Sequence, residues 1–229
     1  MKKLELFDGL VEMGVSDIRD GSMRFLGEGD EAEVIKRQER LGKLIGLGGD
    51  RVARLRTVYD GRDEYTFYDE IGDNLSEFTI KDSEKTIPIT DGLVTKRNDV
   101  GLLLPLADCV GAVVFDEKKR ILGLLHAGRH NVEQNGPEKF AKYLSEKYGC
   151  NPSDLKVYFS PCAQNYQIYA LNNQKMADAV CEQLTRAGVL PENIENPGID
   201  TVTDDDYPSC SNGDLKTRFA VVVRQTDHL

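Results

Sequence analysis

The chain has 229 residues, 40% of them hydrophobic and 30% charged, a balance typical of a soluble globular protein. Its net charge of −10 argues against general binding to nucleic acid or to anionic membranes, so a site for an anionic ligand would need a local cluster of donors. The sequence predicts a cytoplasmic protein without disulfides or membrane helices. Its five cysteines form no C-x-x-C pair, no apolar run reaches about 20 residues, and the start MKKLELFDGLVEMG lacks a signal-peptide pattern.

The first predicted helix lies in GEGDEAEVIKRQERLGKLIGLGGD. Asp30 and Glu33 have the spacing of a capping box, apolar residues then recur at helical intervals, and a glycine pair ends the element. RVARLRTVY and EYTFY are predicted strands, because both are rich in β-branched or aromatic residues. The polar segment from Ile71 to Lys85 is predicted to be mostly loop.

From Asp91 onward the chain carries continuous apolar runs: DGLVT, VGLLLPL, GAVVFD and RILGLLHA. Runs of this kind are typical of strands that are buried on both faces of a sheet. The short charged connection DEKKR predicts that the last two runs form a hairpin. Such a hairpin would bring Cys109 and His126 toward the same end of the sheet.

Helices and strands alternate in the rest of the chain. GPEKFAKYLSEKYG and NNQKMADAVCEQLTRAG are predicted helices, the second with Asn172 as its N-cap, and LKVYFSP and TRFAVVVRQ are predicted strands. This alternation predicts an α/β fold, with a layered mixed β-sheet core covered by helices. Since there is no flexible linker and no repeat, we expect one domain over residues 1–229.

Three residues around the hairpin are candidates for chemistry. His126 lies at the end of an apolar strand, where functional residues of α/β sheets are often found. Cys109 is equally compatible with a buried, inert thiol. Asp108 beside it is a carboxylate between apolar strands and needs a partner or a role. From the residues alone, Cys109 and His126 fit a metal site, a nucleophile with its base, or an ordinary core.

An ordered set of motifs resembles the YfiH-like family, also called the laccase-domain or polyphenol oxidase family. DGLVT, VGLLLPLADC and ILGLLHAG are similar to its A-D-A-L-V-T, T-A-D-C and H-A-G-W-R-G segments. FSPCAQNYQIY resembles its G-P…C-Y-E-V segment, and YPSCSNGDLKTRFAVVV resembles its closing S-Y-R…G…G-R segment and last strand. The resemblance covers most of the chain.

The resemblance implies a zinc site of two histidines and one cysteine that faces a pocket for purine nucleosides. It further implies phosphorolysis of adenosine, inosine or guanosine with phosphate, and deamination of adenosine. Cys109 and His126 correspond to two of the zinc ligands, and a catalytic zinc of this kind keeps one position open. Asp108 is assigned to the catalytic group together with Cys109 and His126. The residues assigned to substrate binding are Tyr59, Arg129, His130, Cys162 and Arg218.

The chain departs from the family pattern at several of these positions. Tyr59 stands where the family has its first histidine ligand, and a neutral phenol is a poor replacement for imidazole. Arg129 and His130 replace the Trp-Arg pair after His126, and Cys210-Ser211 replaces Tyr-Arg near the end. If residues 126–130 form a helical turn, His130 would join Cys109 and His126 in a new ligand set. The alternative is that His130 only replaces an exposed arginine.

Three functions therefore stay open. The chain is a zinc-dependent purine nucleoside enzyme, a diverged homologue that binds a nucleotide-like ligand or a partner without turnover, or a metal-free hydrolase that uses Cys109 and His126. A multicopper laccase is excluded by counting, because three histidines are too few for a blue-copper centre and a trinuclear cluster. The sequence does not decide the oligomeric state.

Overall fold

A computed structural model describes residues 1–25, 31–58, 61–80 and 87–227, and in it two β-sheets pack face to face. The strands of the first sheet are, in spatial order, β1 (Lys2–Leu6), β2 (Val11–Val15), β13 (Phe219–Gln225), β6 (Gly101–Leu106) and β3 (Val52–Arg54). Neighbouring strands are antiparallel except β6 and β3. The first and last described strands thus belong to one sheet.

The second sheet is also mixed. Its strands are, in spatial order, β12 (Ile194–Glu195), β9 (Leu155–Phe159), β7 (Val110–Asp116), β8 (Ile121–Ala127), β5 (Gly92–Thr95) and β4 (Tyr68–Ile71). Only the two outer pairs are parallel, and the four central strands are antiparallel. A small separate pair is formed by β10 (Gln167–Ile168) and β11 (Gln174–Lys175).

Helices cover the outer face of each sheet. Helix α1 (Glu31–Leu44) packs on the first sheet, while α2 (Arg129–Glu133), α3 (Gly136–Tyr148) and α4 (Met176–Arg186) pack on the second. Because successive strand residues point to opposite faces, Leu102 and Leu104 of β6 contact the core between the sheets, whereas Leu103 contacts the layer under α1. The predicted α/β class, with a mixed sheet core covered by helices, is confirmed.

The predictions for the hairpin, for α3 and for strands β9 and β13 are also confirmed. The N-cap of α4 was wrong, since Asn172 has a left-handed φ of 54° and the helix begins at Met176 after Lys175. The strand predicted at EYTFY instead begins at Tyr68, because Tyr65 bonds to helix α2 and not to a neighbouring strand. Asp30, and with it the capping box, lies outside the described residues.

Two further differences concern the first half of the chain. The strand predicted over RVARLRTVY is limited to Val52–Arg54, and the predicted loop after Ile71 contains a 3-10 helix at Asp73–Glu77. Strands β1 and β2 were not predicted; β2 contains Gly14, which weakens a strand pattern. A Cβ at Gly14 would lie 3.0 Å from Val222 Cγ1, so the close approach to β13 explains the glycine.

Within the described ranges, no helix has the length and apolar character needed to span a membrane.

Candidate functional site

The β7–β8 hairpin places Cys109 and His126 at the same end of the second sheet. His126, the last residue but one of β8, pairs with Gly111, and Cys109 directly precedes β7. The backbone N–H of His126 donates to the carbonyl oxygen of Asp91 at 2.8 Å, which ties β8 to the start of β5. The local geometry predicted from the two apolar runs is therefore present.

Both residues line a pocket of about 560 Å³ at this end of the sheet. The lining residues singled out in the sequence come from three segments: Asp108, Cys109 and His126 of the hairpin, Arg129 and His130 of α2, and Cys210, Ser211 and Arg218 before β13. These segments are far apart in the chain and meet only through the sheet topology. The pocket therefore joins most of the residues that the motifs indicated.

Other lining residues were missed by the sequence reasoning. Most of them are apolar, and the full set is Leu55, Pro105, Leu106, Ala107, Met176 and Leu215, with Arg24, Thr57 and Tyr166. Tyr166 belongs to the AQNYQIY segment that resembles the family, so a signal for it existed. Arg24 is a single arginine between Met23 and Phe25, and no pattern distinguishes it from an ordinary surface residue.

Asp108 has a positioning role in this structure. Its carboxylate accepts hydrogen bonds from Thr201 Oγ1 at 2.8 Å, from the Ser211 N–H at 2.7 Å and from Ser211 Oγ at 2.8 Å. Its backbone has a φ of 73°, a left-handed conformation that aspartate tolerates better than most residues. Asp108 thus holds the segments of Thr201 and Ser211 beside Cys109. These hydrogen bonds are the partners that its buried carboxylate needs.

The environment of His126 keeps its ring neutral. The residue is 5% exposed, and burial lowers the pKa of its imidazole to about 4. A neutral imidazole can serve as a metal ligand or as a hydrogen-bonding group at neutral pH. The same burial opposes a thiolate–imidazolium pair with Cys109, because that pair requires a protonated ring. The electrostatics therefore weigh against the Cys-His hydrolase.

Helix α2 sets the positions of Arg129 and His130. The ring of His130 stacks on Tyr65 with centroids 4.8 Å apart, and Arg129 Nη2 lies 3.1 Å from His130 Nε2. His130 Nδ1 lies 3.6 Å from Glu133 Oε2. Since His126 belongs to β8 and His130 to α2, the helical turn over 126–130 that would have placed both imidazoles on one side is not formed.

The described residues do not complete the three-ligand zinc site that the resemblance implies. No group of three or more His, Cys, Asp or Glu side chains within the described ranges is arranged to hold a metal ion. Cys109 and His126 offer suitable donors, but a catalytic zinc takes three protein ligands. The set of Cys109, His126 and His130 is therefore not assembled, and Tyr59, at the position of the missing histidine, lies outside the described residues.

Cys162 does not line the pocket. It is fully buried, its Sγ is 3.1 Å from Gln164 Nε2, and burial raises the pKa of its thiol to about 12. A thiol in this environment stays protonated at neutral pH and behaves as a small core residue. Substrate binding through Cys162 remains a prediction, and any such effect would have to act through its neighbours.

Two buried groups at the site should have opposite effects on the pH dependence of stability. The pKa of His126 falls from 6.5 to about 4 on folding, so the unfolded chain binds the extra proton and stability is lost as the pH falls through this window. Burial raises the pKa of Asp91 from 3.8 to about 6, so its contribution is full below pH 3.8 and is lost as the pH rises to about 6. Between about pH 4 and 6 the two contributions cancel.

We expect the substitution Asp91→Asn to reveal the effect of His126 on the pH dependence of the free energy of unfolding. Between pH 6 and 4 the free energy of unfolding of the variant should fall by about 1.4 kcal/mol per pH unit more steeply than that of the wild type. Urea denaturation at a series of pH values measures both slopes. An Asp205→Asn control, at an exposed aspartate, should follow the wild type. Parallel curves for Asp91→Asn and wild type would contradict these pKa directions.

Comparisons with known proteins agree with the fold and the motifs. The sequence profile of the family described as multi-copper polyphenol oxidoreductase laccase matches residues 13–183. The chain is 29% identical over 132 residues to "Purine nucleoside phosphorylase YlmD" of Bacillus subtilis, covering 57% of this chain and 45% of that protein. It is 30% identical over 153 residues to "Purine nucleoside phosphorylase Rv2149c" of Mycobacterium tuberculosis, covering 66% and 54%.

The chain thus spans about half the length of the curated relatives it matches. Solved structures share its fold: YlmD from Geobacillus stearothermophilus has a TM-score of 0.78 at 16% identity, covering 95% of this chain and 92% of that one. The Bacillus licheniformis hypothetical protein YfiH has a TM-score of 0.76 at 15% identity, covering 94% and 93%. The family profile matches well over half of this chain. The chain therefore belongs to the multi-copper polyphenol oxidoreductase laccase family, the YfiH-like family that its motifs indicated.

Proposed function

We propose that the chain is a purine nucleoside-processing enzyme whose substrate lies in the pocket beside Cys109 and His126. The observation that carries this proposal is the pocket itself, which combines apolar walls with polar groups from three distant segments. A pocket of about 560 Å³ lies within the range typical of small-molecule sites. Relatives that carry the name purine nucleoside phosphorylase support the same substrate class.

The lining of the pocket suits both parts of a nucleoside. Leu55, Leu106 and Met176 offer apolar contacts to a purine ring, and Tyr166 offers an aromatic one. The neutral imidazole of His126 and the thiol side chain of Cys109 also line the pocket, where they can hydrogen-bond polar atoms of the ligand. These groups would orient the sugar and the base relative to each other.

The reaction proposed is phosphorolysis of the N-glycosidic bond. A phosphate oxygen forms a bond to C1′ of the ribose while the bond from C1′ to the purine nitrogen breaks. The electron pair of that bond goes to the purine, which then takes up a proton, and ribose 1-phosphate is the second product. Much of the rate of such a step comes from holding the two reactants in line in one cavity. Zinc and adenosine deamination are supported by the family resemblance alone. Cys109 and His126, the suitable donors among the described residues, are one ligand short of a catalytic zinc set.

A diverged binding protein without turnover is the second candidate. Ser211 stands at a position where the family pattern has arginine, and its N–H and hydroxyl both bond to Asp108. A side chain engaged in this way does not replace the lost cation. With Tyr59 at the position of the first histidine, this change favours binding over catalysis.

Incubation of the purified chain with adenosine, inosine or guanosine, with and without phosphate, tests the two candidates. We expect the free purine base to be released only when phosphate is present. Chromatography of the base and of the sugar phosphate measures this release. A separate arm measures conversion of adenosine to inosine, and metal analysis of the same sample gives the zinc content per chain. Nucleoside binding without base release would select the binding protein. Absence of both binding and release would contradict the proposal.

A further inference from the structure

The segment of residues 57–66 leaves the body of the protein and returns to it at nearly the same place. The Thr90 N–H donates to the Arg56 carbonyl oxygen at 3.1 Å, and the Asp91 N–H donates to the Phe67 carbonyl oxygen at 2.8 Å. Both ends of the segment are therefore fixed by two consecutive residues, as in a surface loop whose ends lie close together. We call this segment the 57–66 loop.

Tyr65 holds this loop on helix α2. Its N–H donates to Gln134 Oε1 at 2.8 Å, its carbonyl oxygen accepts from Asn131 Nδ2 at 2.7 Å, and its ring stacks on that of His130 with centroids 4.8 Å apart. Gln134 Nε2 also donates to the Asp63 carbonyl oxygen at 2.9 Å. Because the backbone groups of loops ordinarily bond to water, these side-chain partners fix the loop at one place on the helix.

Two of these partners lie where the chain departs from the family pattern. His130 and Asn131 stand at the arginine and the last glycine of H-A-G-W-R-G. A glycine has no side chain that could reach Tyr65. Asn131 is buried, and Gly136 leaves room for it, since a Cβ at Gly136 would overlap Asn131 Oδ1. The packing around α2 is thus adapted to asparagine at this position.

The same loop contains the position at which the chain lacks a metal ligand. Tyr59 replaces the first histidine of the family pattern, and a neutral phenol is a poor zinc ligand. A histidine there, sharing a metal with Cys109 and His126, would link the loop to the hairpin. The contacts of Tyr65 link the loop to α2 instead. Thr57 of the loop and His130 of α2 both line the pocket, so this link joins two parts of the pocket wall.

We propose that Asn131 and Gln134 are positioning residues that, with the ring of His130, hold the 57–66 loop as a wall of the pocket by contacts that need no metal. Asn131 and Gln134 act through Tyr65, and neither of them lines the pocket. The hairpin side chains are placed by the second sheet and do not depend on these contacts. Loss of the contacts should therefore weaken substrate binding more than the chemical step.

Amide hydrogen exchange at Tyr65, followed by NMR, tests this proposal because the N–H reports opening of the loop. Asn131→Gly and His130→Ala each remove one contact but leave Gln134 as the acceptor of this N–H. We expect exchange at Tyr65 to accelerate about tenfold in Asn131→Gly and about threefold in His130→Ala. Treatment of the wild type with EDTA should leave it unchanged. Asn173→Gly is the matched control, because Asn173 is exposed and has a φ of 61° that suits glycine.

Unchanged exchange at Tyr65 in both variants would overturn the proposal, and so would acceleration by EDTA in the wild type, since the metal would then hold the loop. General destabilisation by Asn131→Gly would also accelerate exchange in the core strands β7 and β8. In that case His130→Ala decides, because the His130 side chain is partly exposed and its loss should leave β7 and β8 protected.

Steady-state kinetics with the most active nucleoside separate positioning from a purely structural role. In Asn131→Gly we expect KM to rise about tenfold while kcat stays within about twofold of the wild type. A fall in kcat at unchanged KM would contradict the positioning role. This kinetic measurement rests on the proposed function, whereas the exchange measurement does not. A chain that turns over no nucleoside but shows the expected exchange would therefore contradict the nucleoside function alone.

Discussion

Replacing Asp108 by alanine is expected to lower the free energy of unfolding by roughly 4 kcal/mol, the largest stability effect we expect at the pocket. The substitution removes three hydrogen bonds, from Thr201 Oγ1 and from the N–H and hydroxyl of Ser211. It also leaves the Thr201 hydroxyl buried without its acceptor and places a Cβ-bearing residue without polar atoms at a φ of 73°. For a chain of this length the loss corresponds to a drop in Tm on the order of 10 °C.

Three further variants separate the causes of this loss. Asp108→Gly also removes the acceptor but relieves the backbone strain, so it should be more stable than Asp108→Ala by about 1 kcal/mol. Asp108→Asn keeps the side-chain shape and one acceptor oxygen, and should lie between wild type and alanine. Asp205→Ala, at an exposed aspartate, is the control and should unfold like the wild type. Thermal unfolding measures all four, and equal Tm values for Asp108→Ala and Asp205→Ala would show that the carboxylate does not hold the two segments.

Loss of Cys109 or His126 is expected to have the largest effect on turnover. Cys109→Ala and His126→Gln should each lower kcat/KM for phosphorolysis by about 100-fold or more, since groups that act directly on the reacting centre contribute about 10²–10⁴. Glutamine keeps a polar side chain at the buried His126 position and so limits the loss of stability. Steady-state kinetics with the most active nucleoside measure the effect.

The matched control is Cys181→Ala, because Cys181 is a half-buried cysteine on α4 that does not line the pocket. It should keep wild-type turnover. Labelling with iodoacetamide addresses the Cys-His hydrolase separately: with His126 neutral, Cys109 should react no faster than Cys181 and Cys210. Preferential labelling of Cys109 would restore the hydrolase, and full activity in Cys109→Ala would remove this residue from the mechanism.

Local patterns were sufficient for the elements that position the hairpin. The apolar runs before Asp116 and after Arg120, separated by a short charged turn, predicted two adjacent antiparallel strands, and the structure has this hairpin. Capping signals worked where the chain provides a left-handed glycine, as at Gly149 after α3. They failed at Asn172, because an asparagine that adopts a left-handed turn gives the same signal as an N-cap.

By itself the sequence determined the α/β class, the placement of Cys109 and His126 at one end of the sheet and the family, because hydrophobic periodicity and ordered motifs are local in the chain. Only the tertiary structure decided which distant residues complete the pocket. The segment of Arg24 is tied to that of Arg218 by a hydrogen bond from the Met23 N–H to the Arg218 carbonyl oxygen, and Ser211 is held at the pocket by Asp108, about a hundred positions earlier in the chain. Contacts of this kind depend on how segments that are far apart in the chain pack against each other, and no short segment carries that information.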